Sequence, residues 1–239
     1  MSLESAAALL HPVDSLAIPL GPGQPGALLH VLSARDDFED LQVFGALLLD
    51  FYPLFAQKGV RLLSGFFGPA ERALRAAGHD VQFVPGDFRR FATVAEQLAP
   101  RVMTTAVAPA GPDGRFSLSL HAGATLDALR ACGRDPGRVL IAEVNRELPF
   151  TFGLPPEHTH DLGPEEIDVL VEGDRPPERW KIRRRARSRS RSRATSRSGS
   201  RRAPHSRPAS GASRAPSRPC WQRAAAETTG STARCSRRA

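Results

Sequence analysis

Glu143 interrupts the otherwise apolar run Val139–Val144. A carboxylate set among aliphatic side chains is either a reactive group, able to act as a nucleophile, or a structural one walling a site. Asn145 follows at the end of the same run, placed either to line a substrate cleft or to cap the turn beyond it. Gly21-Pro22-Gly23-Gln24-Pro25-Gly26 is a turn-rich loop closing the apolar segment Ser15–Leu20. Gly21 and Gly23 carry no side chain, which lets a backbone approach a ligand closely. The same residues also suit an ordinary strand-to-helix turn. His158-x-His160 has the look of a metal pair, but no Asp, Glu or His stands at a convincing spacing, so a solvated loop is expected and no metal site is assigned. Asp161, Glu165 and Glu166 read as a solvated acidic face. Of the cysteines, Cys132 lies in a helix-like segment and is expected as a buried, unpaired thiol. Cys220 and Cys235 stand far apart, and without a C-x-x-C pair neither a zinc site nor a disulfide framework is expected.

The elements that must position these groups alternate along the chain. Strands are expected at Ser15–Leu20, Leu41–Leu49, Val60–Phe66, Val81–Val84, Val102–Ala108, Phe116–Leu120, Val139–Val144 and Ile167–Val171. Helical spacing is found in Ala27–Ala34, in Ala70–Ala77 behind Pro69, in Phe88–Leu98, and in Thr125–Ala131 up to a stop at Gly133. Strands apolar on both faces, alternating with helices, predict an α/β domain with a mainly parallel sheet covered by helices.

Charge divides the chain in two. Up to Arg175 there are 14 Lys and Arg against 23 Asp and Glu, a net −9; from Pro176 onward 19 stand against 2, a net +17. The overall basic character therefore belongs to the C-terminal part and says nothing about partners of the folded part. From Arg183 onward no Leu, Ile, Val, Met, Phe or Tyr occurs. Such a segment cannot offset a backbone ordering cost of roughly 1–2 kcal/mol per residue. A folded domain over 1–177 and a disordered Arg/Ser/Ala/Pro-rich tail over 178–239 are expected. Arg187–Arg193 reads RSRSRSR, like the Arg/Ser segments that bind RNA phosphate by charge, and the tail is expected to bind polyanions without specificity. With 31 Arg and only 2 Lys, the chain also points to a GC-rich gene, which read out of frame yields this same mixture. No apolar stretch approaches a membrane span, and Ser5–Leu10 lacks the basic flank and length of a signal peptide. A soluble, cytoplasmic protein is the expectation.

Three stretches resemble the N-terminal half of the acetyl-CoA hydrolase/4-hydroxybutyrate CoA-transferase family. PAGPDGRFSL (Pro109–Leu118) resembles its SPPDxHGYxSLG turn and strand, IAEVNRELPFTFG (Ile141–Gly153) its IAEVNxxMPxTxG, and IDVLVEGDRP (Ile167–Pro176) its IDxxVExDxP. Gly21–Pro25 falls where the family carries a Gly-x-Gly-x-Pro turn. The resemblance implies the three-layer α/β CoA-transferase fold, related to ribose-5-phosphate isomerase. It also implies exchange of coenzyme A, as substrate, between an acyl-CoA and a short-chain carboxylic acid through a glutamyl-CoA thioester; water as acceptor gives hydrolysis. Glycine-turn amides would stabilise the oxyanions of such a path. Substrate contact is accordingly expected at Gly21, Gly23, Gln24, Pro25 and Asn145. The motif around Glu143 is not the nucleophile's. In the family that glutamate and a second glycine loop follow the IDVLVEGDRP-like stretch by several dozen residues. Here that position holds Arg183-Arg184-Arg185-Ala186-Arg187-Ser188 and the rest of the basic tail, so no catalytic residue is assigned. A chain truncated or frameshifted before its catalytic Glu is the leading expectation, with a homo-oligomer possible. The alternative is an Arg/Ser-tailed nucleic-acid-binding or scaffold protein.

Overall fold

The computed structural model describes residues 1–121 and 125–176. What is expected of the tail over 178–239, including Cys220, Trp221 and Cys235, lies outside the described residues.

Seven strands form one sheet: β1 (Val13–Ala17), β2 (Asp40–Gly45), β3 (Val60–Ser64), β4 (Val81–Phe83), β5 (Val102–Val107), β7 (Val139–Val144) and β9 (Val169–Glu172). Their order is β4-β3-β2-β1-β5-β7-β9, and every neighbouring pair is parallel. The short strands β6 (Phe116–Ser117) and β8 (Asp161–Leu162) pair antiparallel beside it.

Side-chain direction alternates along each strand, so consecutive residues feed opposite faces. Leu16, Ile18, Val43, Leu62, Val102 and Ile141 pack with α1 (Leu3–Ala7), α2 (Gly26–Ser33) and α3 (Pro69–Ala76). Ala17, Phe44, Leu63, Met103, Leu140 and Ala142 pack with α4 (Phe91–Leu98) and α5 (Leu126–Gly133) on the other face. All six residues of β5 are buried, as a strand covered on both sides requires. The result is the three-layer α/β architecture.

Several strands differ from expectation in their bounds, with Ser15–Leu20 found as β1 over Val13–Ala17, Leu41–Leu49 ending in β2 at Gly45 and Phe116–Leu120 reduced to the two residues of β6. Two helix boundaries differ for identifiable reasons. Phe88–Arg90 is a 3₁₀ turn rather than the start of α4, because the Asp87 carboxylate accepts from the amides of Arg89 and Arg90. Gly133 does not stop α5 but ends it from within. A Cβ there would lie 1.9 Å from the Glu166 carbonyl oxygen, so glycine is needed for close approach. The N-terminal helix α1 had no signal beyond a short apolar run; Ser2 caps it by accepting from the Ser5 amide at 3.1 Å.

Cys132 lies fully buried on α5 as a free thiol, and burial pushes its pKa up to about 11. The thiolate is the reactive form. Cys132 is therefore expected to resist iodoacetamide in the native protein and to label fully in 6 M guanidinium, as read by peptide mapping of the Cys132 peptide.

Candidate functional site

The strand order places the site. β1 to β4 step toward one edge of the sheet and β5, β7 and β9 toward the other, so the direction of winding reverses between β1 and β5. Open α/β sheets bind ligands beyond the carboxyl ends of their strands at such a reversal, where successive loops diverge. Here β1 and β5 share only two register pairs, Leu16 with Val102 and Ala17 with Met103. The seam is pinned at its opposite end, where the Arg101 guanidinium donates to both oxygens of Asp14 and the Arg101 amide to Ser15 Oγ at 2.9 Å. Burial works against the Asp14 carboxylate, but Arg101 and the amides of His11 and Ser15 outweigh it and hold its pKa below the ordinary value.

At the carboxyl end of this seam the glycine turn meets the end of β7. Gly21, Gln24, Glu143, Asn145 and Arg175 surround a cavity of about 20 Å³, room for roughly one water. Four of the expected contacts therefore share one corner of the fold: Gly21, Gln24 and Asn145 line the cavity, and Pro25 leads into α2. Gly21 has φ +50°, the left-handed conformation that glycine adopts without penalty. The Gly23 and Gln24 amides donate within the turn, to Leu20 O at 3.2 Å and Gly21 O at 3.0 Å. Gly23 is itself fixed by packing: a Cβ there would meet His121 Cδ2 at 2.6 Å and Pro19 Cβ at 2.9 Å.

The Gln24 side chain ties the turn to the loop after β2. Its Nε2 donates to Ala46 O (3.2 Å) and Leu47 O (3.3 Å), and its Oε1 accepts from the Leu49 amide (3.3 Å). On the far side of that loop, buried Glu71 accepts from the Leu48 amide at 3.0 Å and the Gly68 amide at 2.9 Å. Asn145 caps its turn, accepting from the Glu147 amide at 3.0 Å while donating to Arg175 O at 3.0 Å, and it borders the small cavity.

Glu143 shares the sheet face of Ile141, which turns it toward α2. Its two oxygens accept from the amides of Ala27 (3.2 Å) and Leu28 (2.8 Å), satisfying donors that the first turn of any helix leaves open. Burial is the largest influence on this carboxyl and raises its pKa to about 7, with the two amides pulling the other way. Glu143 is thus a cap that holds the helix behind the glycine turn, with both oxygens engaged.

His121 carried no signal in the sequence, yet it packs on the glycine turn through Gly23. Its Nε2 lies 3.1 Å from Thr125 Oγ1, and burial, aided by nearby His160, lowers its pKa to about 4. His160 sets its Nε2 2.8 Å from Ser119 O, and His158 is exposed. No three His, Cys, Asp or Glu side chains converge as a metal site among the described residues. The acidic face needs correction. Glu165 is exposed, but Asp161 sits in β8 and accepts from Arg115 Nε at 2.7 Å. Glu166 is 7% exposed and accepts from the Gly163 amide and from Arg134, both at 3.0 Å, with Arg130 Nε at 3.3 Å. Gly163 is a local partner in the turn after β8, but Arg130 on α5 and Arg134 at its C-cap stand more than thirty residues away, and no local pattern announces them.

No protein-family model and no curated protein matches the chain. Among solved structures, RipA from Yersinia pestis superposes with a TM-score of 0.65 at 23% identity, covering 77% of this chain and 44% of RipA. The 4-hydroxybutyrate CoA-transferase of Porphyromonas gingivalis superposes with a TM-score of 0.51 at 18% identity, covering 74% of this chain and 40% of the enzyme. The fold is CoA-transferase-like. The chain spans less than half the length of either structure, and identities this low speak to fold alone. No helix among the described residues is long and apolar enough to cross a membrane.

Proposed function

We propose that residues 1–176 form the N-terminal half of a CoA-transferase or acyl-CoA hydrolase, and that the basic Arg/Ser/Ala/Pro-rich sequence after them, read as out-of-frame translation, stands where the catalytic glutamate is expected. The observation carrying this reading is the meeting of the glycine turn, Gln24 and Asn145 at the sheet reversal of a CoA-transferase-like fold. In the proposed reaction a carboxylate from outside residues 1–176 attacks the thioester of an acyl-CoA. The bond from carbonyl carbon to sulfur breaks, leaving a mixed anhydride and free CoA thiolate. The thiolate then attacks the glutamyl carbonyl of the anhydride, whose carbon–oxygen bond breaks to release the donor's carboxylate and leave a glutamyl-CoA thioester. An acceptor carboxylate runs the same two steps in reverse, taking CoA as its own thioester and freeing the glutamate, while water instead hydrolyses the thioester to glutamate and free CoA.

Glu143 does not serve as that nucleophile. Both its oxygens accept helix amides, and attack through either would leave a buried donor unpaired. Its work is to hold α2, and with it Pro25 and the turn, against β7. Gln24 fixes the other side of the turn to the β2 loop, and Asn145 presents the end of β7.

Two measurements test the reading. Acetyl-CoA is expected to shift the amide resonances of Gly21, Gly23 and Gln24 in the full chain; unchanged spectra at millimolar acetyl-CoA defeat it. CoA exchange from acetyl-CoA to a short-chain acid is expected to stay at background with purified protein. Turnover near that of a full-length CoA-transferase would refute the missing nucleophile.

A further inference from the structure

A second hollow lies one step along the carboxyl edge, where the loops after β2, β3 and β4 enclose a cleft of about 340 Å³. That is within the size range of small-molecule sites, which pair apolar walls with a few placed polar groups. Phe44 and Phe91 stack in it at 4.7 Å, beside Val94 and Ala46. Phe66 and Phe88 stand at its rim, 55% and 64% exposed. Only two charged side chains line it, Asp87 and Arg90. Asp87 is committed to the amides of Arg89 and Arg90, with the Arg89 guanidinium 4.0 Å away. Among the described residues no carboxylate pairs with the Arg90 guanidinium, which leaves one cation at an apolar cleft.

An apolar body with a single anionic end fits that arrangement, and the position selects among such molecules. The cleft and the glycine turn share a wall: Leu20 lines the cleft and Gly21 the cavity. Gln24 locks Ala46 and Leu47, both lining the cleft, to the turn. Glu71 braces the same loop through Leu48. An acid bound here lies beside the place where the proposed chemistry occurs.

We propose that this cleft binds a medium-chain monocarboxylic acid, its hydrocarbon tail against Phe44, Phe91 and Val94 and its carboxylate at Arg90. The inference rests on the proposed function and deepens it by naming a longer acceptor acid than the short-chain one the sequence resemblance implies.

The test uses the full chain and measures octanoate, butyrate and octanol binding by calorimetry, without CoA. Burying a methylene strengthens binding about fourfold, so octanoate is expected to bind roughly two orders of magnitude tighter than butyrate. Gly65 offers a clean block. Its φ is not left-handed, and a Cβ would sit at an ordinary 3.5 Å from Phe91 Cδ2. Gly65→Leu is therefore expected to fill the cleft and weaken octanoate at least tenfold, with an unchanged Tm and unchanged acetyl-CoA shifts at Gly21–Gln24. Arg90→Gln is expected to weaken octanoate while leaving octanol unaffected. Octanoate binding no tighter than butyrate, equal binding to Gly65→Leu, or an equal loss of octanol in Arg90→Gln would each overturn the proposal. Because no arm contains CoA, the cleft fails on octanoate alone, whereas the CoA reading fails on the acetyl-CoA spectra.

Discussion

Replacing Glu143 with glutamine is expected to shift the stability gap between wild type and variant by about 3 kcal/mol, in the variant's favour, as pH rises from 4 to 8. The sign follows from proton uptake. The folded protein holds this carboxyl at a pKa of about 7, against 4.5 for the ordinary group. Between those values the native state binds more protons than the unfolded chain, so wild-type stability falls with rising pH. The contribution is complete below the unfolded value and gone above about 7. Glutamine does not titrate and loses the slope.

His121 supplies the opposite slope. Buried and neutral, it has a folded pKa of about 4 against an ordinary 6.5. Its stability is complete above the unfolded value and is lost as pH falls through the folded one, again by about 3 kcal/mol. The two windows overlap, so in wild type the slopes largely cancel. His121→Asn should uncover the Glu143 slope, and Glu143→Gln the His121 slope. Urea unfolding of all three proteins at half-unit pH steps checks this. Parallel stability curves for wild type and Glu143→Gln would show that the carboxyl has an ordinary pKa in the fold.

Gly133→Ala should be the most damaging single methyl addition on α5. The new Cβ would be placed 1.9 Å from the Glu166 carbonyl oxygen and 2.9 Å from its carbonyl carbon. Both are backbone atoms of the 3₁₀ turn Pro164–Glu166, held by the Glu166 ion pairs to Arg130 and Arg134, so neither can swing aside as a flexible side chain would. Overpacking of this kind costs about 3 kcal/mol or more, which lowers Tm by roughly 6–12 °C in a domain of this size. Gly65→Ala is the control, because its Cβ meets only ordinary contacts; its Tm should stay within about 2 °C of wild type. Equal melting temperatures for wild type and Gly133→Ala would mean that α5 and the Glu166 turn are not packed as described.

The Glu143 and His121 predictions concern groups that hold the glycine turn in place. That is how the site is built. Glu143 fixes the helix behind the turn, His121 packs on Gly23, and Gln24 fastens the turn to the next loop. Removal of any one is expected to disturb the turn before it disturbs the rest of the sheet.

The elements were legible in the sequence because their causes are local. Alternation sends Leu16 and Ala17 to opposite faces of β1, and continuous apolar runs such as Val102–Val107 require cover on both sides. The Gly21–Pro25 turn and Asn145 stood out because their residue types carry conformational meaning on their own. Strand order was not legible from periodicity, since every apolar strand fits any central position; the family-like motifs alone implied it. Glu143 could be seen to interrupt a strand, but not that its partners are the amides of Ala27 and Leu28, more than a hundred residues earlier. The roles of His121, Asp161 and Glu166 were hidden for the same reason. A side chain's chemistry is written at its own position, while its burial and partners are set by segments distant in the chain, and only the packed sheet brings those together.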